Sequence, residues 1–210
     1  MNDVARQRRL FKFYNECGEK YPQGKIIYQS KASVASARAR YLCTLLKGEA
    51  LTLDLGCGDG YFKPHIENHV GVDIAIGYLK SFKGIRVWNI AQNLPFKDKC
   101  FPRVFMSEVL EHIWERKMVL DECYRVLTDK GILIMSVPFG RKGHEFLIQK
   151  NWIPLKKYGI KFSPYIHGHF TLEYTKKLLA KSKFQVISHK ELIHNKKTKY
   201  LAVVAKKRGK

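Results

Sequence analysis

Along the chain, short continuous apolar runs are separated by stretches in which apolar residues recur every three or four positions. The runs are "ALTLDL" (50–55), "HVGVDI" (69–74), "IRVWNI" (85–90), "RVFMSEVL" (103–110) and "ILIMSVP" (132–138). Runs of this length predict buried strands. The periodic stretches predict helices at 3–16 through Val4, Leu10 and Phe13, and at 31–47 through Val34, Ala37, Tyr41 and Leu45, stopped by Gly48. A third spans 114–127 through Trp114, Met118, Cys123 and Val126. Pro64 suits the first turn of a short helix, and "TDKG" (128–131) reads as a turn. Thr171 caps "TLEYTKKLLAKS", with Glu173 in its first turn. "FQVISHKELI" and "YLAVVAKK" are strands joined by the short polar loop "HNKKT", which makes them antiparallel.

Strands alternating with helices predict an α/β fold: a Rossmann-like, doubly wound, mostly parallel sheet of seven strands with helices on both faces. The C-terminal pair adds an antiparallel hairpin. On such a sheet a ligand sits beyond the carboxyl ends of the strands, where the strand order reverses. Residues 139–170 show no clear period, and no internal repeat or second domain is visible.

Bulk composition narrows the classes. The chain has 210 residues, of which 45% are hydrophobic, as a folded domain requires. No apolar stretch reaches transmembrane length, and "MNDVARQRRLFKFYNE" is too charged for a secretory signal. Cys17, Cys43, Cys57, Cys100 and Cys123 are scattered and without a CxxC pair, so they read as reduced thiols of a cytoplasmic protein and not as a zinc site. The net charge of +21 is segregated: residues 1–40 carry +6, 41–140 zero and 141–210 +15. Such flanks suit a polyanion such as RNA, or a Lys-rich solvated surface of the kind that thermophile proteins favour.

"LTLDLGCGDGYF" (51–62) carries the chemistry. Gly56, Gly58 and Gly60 permit positive φ and let a ligand lie on bare backbone. The loop follows a strand and opens a helix, as a nucleotide-binding loop does. Asp73 ends the next strand, where an adenosine ribose would be gripped through its hydroxyls; it also suits a helix N-cap before "IAIGYLK". The spacing is not the GxGxxG of dinucleotide sites, since Gly60 comes one residue early.

With "LDLGCGDG", "VGVDIA", "NLPFKDKCF", "SEVLEHI", "ECYRVLTDKGILIMSVP" and "HFTLEYTKKLLAKSKFQVI", the chain resembles the class I S-adenosylmethionine-dependent methyltransferases of small-molecule type, over about 50–139 and again at 169–187. The resemblance implies one methyltransferase domain over 1–210: a helical lid (1–47), a cofactor-binding core (48–140), a substrate-pocket insertion (141–170) and a C-terminal helix with its strand hairpin (171–210). It implies S-adenosylmethionine as cofactor. Asp54, Gly56, Cys57, Gly58 and Gly60 would hold its methionine end, Asp73 and Ile74 the ribose, and Asn89 and Ile90 the adenine, with Ser107 lining the pocket. Asn89 stands where the family usually carries an acid, and "CFPRVF" departs from the family's Phe-Asp, a change expected to matter for how the fourth strand begins.

A base is needed only if the nucleophile carries a proton that must leave early. Candidates are Glu108 and Glu111 with His112 after the fourth strand, and His144, His167 and His169 in the irregular stretch; for His112 a structural role is favoured, and for the loop histidines solvent exposure. The acceptor pocket falls in 139–170, where aromatic and basic residues interleave, and Trp152, Tyr165 and His169 are its candidates. The expected acceptor is a small molecule, lipid or glycan precursor; an RNA acceptor is the alternative, although no NPPY-like motif follows the fourth strand.

Overall fold

The computed structural model describes residues 11–16, 18–19, 35–140, 146–149, 165–168, 170–194 and 198–209. Seven strands form one sheet: β1 (Thr52–Leu55), β2 (His69–Asp73), β3 (Ile85–Trp88), β4 (Phe101–Ser107), β5 (Leu127–Pro138), β8 (Phe184–His194) and β9 (Thr198–Lys207). Their order is β3-β2-β1-β4-β5-β9-β8. The first five are parallel, and β9 is antiparallel to both β5 and β8. β6 (Phe146–Gln149) and β7 (Tyr165–Gly168) form a separate antiparallel pair inside the stretch that showed no period. The strand order reverses between β1 and β4, so their carboxyl ends open the crevice that such sheets offer a ligand.

Alternate residues of each strand face opposite layers, and both layers are apolar. Leu53, Leu55, Val104, Met106, Leu133 and Met135 pack against α3 (Arg116–Val126) and α4 (Leu172–Lys181). Phe105, Ile134, Ala202 and Val204 pack against α1 (Ala35–Leu46) and against Phe62 and Ile66, which follow the glycine loop. Burial on both sides explains why these strands are continuous apolar runs.

Several local expectations need adjustment. The buried face of α1 is Ala39, Leu42 and Leu46, while Ala37, Tyr41 and Leu45 are only half-buried. In α3 it is Val119, Leu120, Cys123 and Val126, and Met118 is 50% exposed. Both helices carry more apolar residues than one face can hold, and contact with the sheet selects among them. β4 begins at Phe101 and ends at Ser107 rather than Leu110. "TDKG" belongs to β5 as an irregularity, because pairing with β4 jumps from Phe101↔Leu127 to Arg103↔Ile132. Pro64 sits in the first turn of a 3-10 turn (Lys63–His65), and Thr171 caps α4 by accepting the Tyr174 amide at 3.1 Å. Of the first predicted helix, residues 11–16 and 18–19 are described and helical.

Two arginines bolt the layers together. Arg103 is buried in β4 and donates to the Leu46 carbonyl at 2.6 Å and the Lys47 carbonyl at 3.1 Å, satisfying the end of α1. This is what the "PRVF" departure does here. Arg125 of α3 pairs with Glu122 and Asp98 and donates to the Phe96 and Leu94 carbonyls, holding "NLPFKD" to the helix. No helix among the described residues is long and apolar enough to cross a membrane.

Candidate active site

The glycine loop is turned by its own chemistry. Gly56, Gly58 and Gly60 adopt φ of +70°, +56° and +92°, where a side chain is strained. At Gly56 an added Cβ would lie 2.4 Å from Val109 Cγ2, so the loop and the segment after β4 touch. The Gly56 and Cys57 amides donate to the Val72 carbonyl at 2.7 and 3.1 Å, pinning the loop to the end of β2.

Asp73 is the hinge of this arrangement. Its carboxylate accepts the Gly58 amide at 2.8 Å on one oxygen and the Ala75 amide at 2.7 Å on the other. Asp73 is not the expected helix cap: the four-residue helix α2 (Ile76–Leu79) has Ala75 at its N-cap and no side-chain cap, and the Asp73 carboxylate instead closes a turn onto the Ala75 amide. Burial, helped by the nearby Asp54 charge, pushes the Asp73 carboxyl up to about 6, against the bonds from the Ala75, Gly58 and Ile74 amides that draw it down. Each oxygen keeps a further lone pair for a ligand hydroxyl.

A cavity of about 390 Å³ opens here. One end is walled by Asp73, Ile74, Asn89 and Ile90, and the other by Gly56, Glu108, Val109, His112 and Ile113. The Asn89 side-chain oxygen accepts the amide of Ile90 at 2.7 Å, so the cavity end of this residue is shaped by its own backbone. Asp54, Cys57, Gly58, Gly60 and Ser107 do not line the cavity. Asp54 is buried and bonded to His69 Nε2 at 3.1 Å; burial raises its carboxyl, and the histidine draws it back. Cys57 packs behind the loop, where burial drives its thiol well above the ordinary range. Ser107 shares a hydrogen bond with Ser136 at 3.0 Å.

Phe11 and Tyr14 of the first helical segment also line the cavity. Phe11 lies against Trp88 with ring centroids 5.6 Å apart, and Tyr14 meets the His112 ring edge-on at 5.9 Å. Asn15 donates to the Ile74 carbonyl at 3.3 Å and accepts the Ile76 amide at 3.0 Å. Asn15 had no distinguishing signal in the sequence.

Below the second end of the cavity lies a polar cluster. Glu108 adopts φ +58° and forms an ion pair with Arg38 at 2.9 Å; Ser136 donates to the same carboxylate oxygen at 3.1 Å. Glu111 is 1% exposed and hydrogen-bonded to Glu108. Burial raises both carboxyls; the Glu108 charge pushes Glu111 well above the usual range, while Arg38 draws Glu108 back. His112 lies 3.6 Å from Glu111 and faces the cavity, which exceeds the structural role expected of it. His144, Trp152 and His169 lie outside the described residues. The backbones of Tyr165 and His167 are in β7, and their side chains are outside the description.

A glycine loop at the reversal point of a doubly wound sheet, with an acid ending β2, lies where such sheets receive a nucleotide-type ligand. Residues 53–135 match the family described as Methyltransferase domain. It is 41% identical over 96 residues to an uncharacterized protein of Methanocaldococcus jannaschii, covering 43% of this chain and 42% of that protein. It is 30% identical over 96 residues to a protein of Mycolicibacterium smegmatis named probable S-adenosylmethionine-dependent methyltransferase, covering 41% and 37%. The match thus spans about two fifths of the length of these relatives. In fold it is similar to the Burkholderia thailandensis 1,6-didemethyltoxoflavin-N1-methyltransferase with bound S-adenosylhomocysteine, at a TM-score of 0.75 and 17% identity over 100% of this chain and 92% of that one.

Proposed function

We propose that this protein transfers a methyl group from S-adenosylmethionine to a small-molecule, lipid or glycan-type acceptor. The observation that carries the proposal is the single cavity running from the Asp73 wall to the Glu108 wall under Phe11 and Tyr14. Its volume and apolar lining suit a buried nucleoside with a compact acceptor beside it. The residues fit the cofactor: amides aim the Asp73 carboxylate, and Gly56, whose Cβ position is filled by Val109, presents bare backbone to the cavity. Bound there, S-adenosylmethionine supplies a methyl group already activated by its sulfonium charge. The protein's share is to exclude water and align the acceptor, the larger part of such catalysis. Asp73 takes the ribose hydroxyls, Asn89 and Ile90 bracket the adenine, and Gly56, the loop residue that lines the cavity, meets the methionine end.

Two lysines of the basic third lie over aromatic rings, Lys190 on Tyr41 at 4.6 Å and Lys207 on Tyr124 at 4.4 Å, which favours a small acceptor over RNA. The test is calorimetry with S-adenosylhomocysteine, then methyl transfer from labelled cofactor to a metabolite extract and to total RNA. Label is expected in the extract. Label in RNA alone, with RNA affinity falling by about 0.7 log units per phosphate contact for each tenfold rise in salt, would overturn the acceptor class.

A further inference from the structure

The polar cluster at the Glu108 wall is more elaborate than a cavity wall requires. Glu108 stands in the left-handed region immediately after β4, beside Val109, the residue that touches Gly56. It is therefore next to the loop that would carry the methionine end. Arg38 and Ser136 both engage its Oε1. Glu111 beneath it is fully enclosed, and its Oε2 has no hydrogen-bond partner. An unpartnered carboxyl oxygen in an enclosed site is costly, and structures keep such groups mainly where they serve a reaction or a ligand.

We propose that Glu108 is the proton acceptor for a hydroxyl-bearing substrate, which makes the reaction an O-methylation. This rests on the methyl-transfer reading above. The acceptor oxygen forms its bond to the methyl carbon, and the carbon–sulfur pair stays on sulfur. The hydroxyl proton passes to the Glu108 carboxylate. A sulfonium cation and a carboxylate anion are both neutralised in the step, so a low-dielectric pocket favours it over the charged ground state. Arg38 and Ser136 fix the direction of the Glu108 carboxylate and draw its pKa back against the burial that raises it, while burial and the Glu108 charge push Glu111 beneath it well above the usual range. The groups facing Glu108 among the described residues are Arg38 from α1, Glu111 and His112 from the turn after β4, Ser136 from β5 and Tyr200 from β9. The Tyr200 ring lies 4.6 Å from the Arg38 guanidinium. Burial raises the Tyr200 hydroxyl, so it stays neutral in the working range.

The test uses the full chain with S-adenosylhomocysteine bound and two probes that differ in carrying a hydroxyl hydrogen or a methyl group on the same oxygen, phenol and anisole. The wild type is expected to bind the phenol at least tenfold more tightly, and Glu108→Gln to erase that preference by a factor of about ten to a hundred. Glu108→Gln keeps the side chain's size and an acceptor oxygen for Arg38 and Ser136 and is expected to fold; if it does not, the wild type alone decides, because its phenol preference must vanish on acidification as Glu108 protonates. Equal binding of the two probes, binding of neither, or a preference that survives in Glu108→Gln overturns the proposal. Absence of S-adenosylhomocysteine binding in the wild type would instead remove the cofactor reading, so the two failures are distinguishable.

Discussion

The Asp73 carboxylate accepts the Gly58 amide at 2.8 Å, tying the acid that ends β2 to the middle of the glycine loop. Loop and acid are thus one unit: the carboxylate that would receive a ribose also holds the loop beneath the methionine end. Changes at Asp73 are felt at both places.

The first consequence is a pH dependence. Burial raises Asp73 to about 6, and a ribose hydroxyl donates best to the ionised form. Binding therefore favours the deprotonated state and lowers its pKa. Affinity for S-adenosylhomocysteine should be full above pH 6 and fall by up to tenfold per unit below it. Asp73→Asn should weaken binding about ten- to a hundredfold and flatten that profile. Calorimetry from pH 5 to pH 8 reads both; a flat wild-type profile would remove Asp73 from the ribose site.

Gly56→Ala combines two costs. The left-handed φ of +70° is strained for alanine, and the new Cβ would press on Val109 Cγ2. Together these should lower stability by about 1–3 kcal/mol. The double variant with Val109→Ala relieves the contact but not the dihedral, so it should recover only part of the loss, and cofactor binding should stay weak. Urea denaturation of the two variants separates the terms.

Arg103→Met should lower stability by about 2–3 kcal/mol, because two charge-assisted bonds to the end of α1 disappear and the Leu46 and Lys47 carbonyls lose their donor. The denaturation midpoint should fall with an unchanged slope, and S-adenosylhomocysteine affinity should not move, since Arg103 is remote from the cavity. A parallel loss of affinity would mean that α1 also shapes the site.

Asn15→Ala breaks the two bonds that clasp the first helical segment to Ile74 and Ile76. Dissociation of S-adenosylhomocysteine should quicken by about three- to tenfold, with the association rate little changed. Stopped-flow tryptophan fluorescence reports it, because Trp88 sits against Phe11. An unchanged off-rate would show that the segment does not retain the cofactor.

Where the physical cause is local, the sequence by itself determined the outcome. Apolar runs bounded by turns became the buried strands β1, β2, β4 and β5, because a strand covered on both faces cannot alternate; the run that became β3 lies at the sheet edge and is exposed, with Ile85 at 66%. The short polar loop before Thr198 made β8 and β9 antiparallel, since too few residues remain for a crossover. Thr171 capped α4 because its oxygen reaches an amide three residues on. The glycines and Asp73 were legible for a like reason: positive φ and an acid at a strand end leave marks in composition and spacing.

Only the tertiary structure decided which apolar stripe of α1 and α3 faces inward, since each helix offered more than one and the sheet accepts one. It placed Asp54 against His69 instead of along the cavity, a pairing of two buried groups on neighbouring strands that no spacing announces. It joined Arg38 to Glu108 and Arg103 to the end of α1, and it brought Asn15 onto the loop after β2. Each of these bonds links residues far apart in the chain. Its strength comes from the burial that folding creates, and that is absent from any window of sequence.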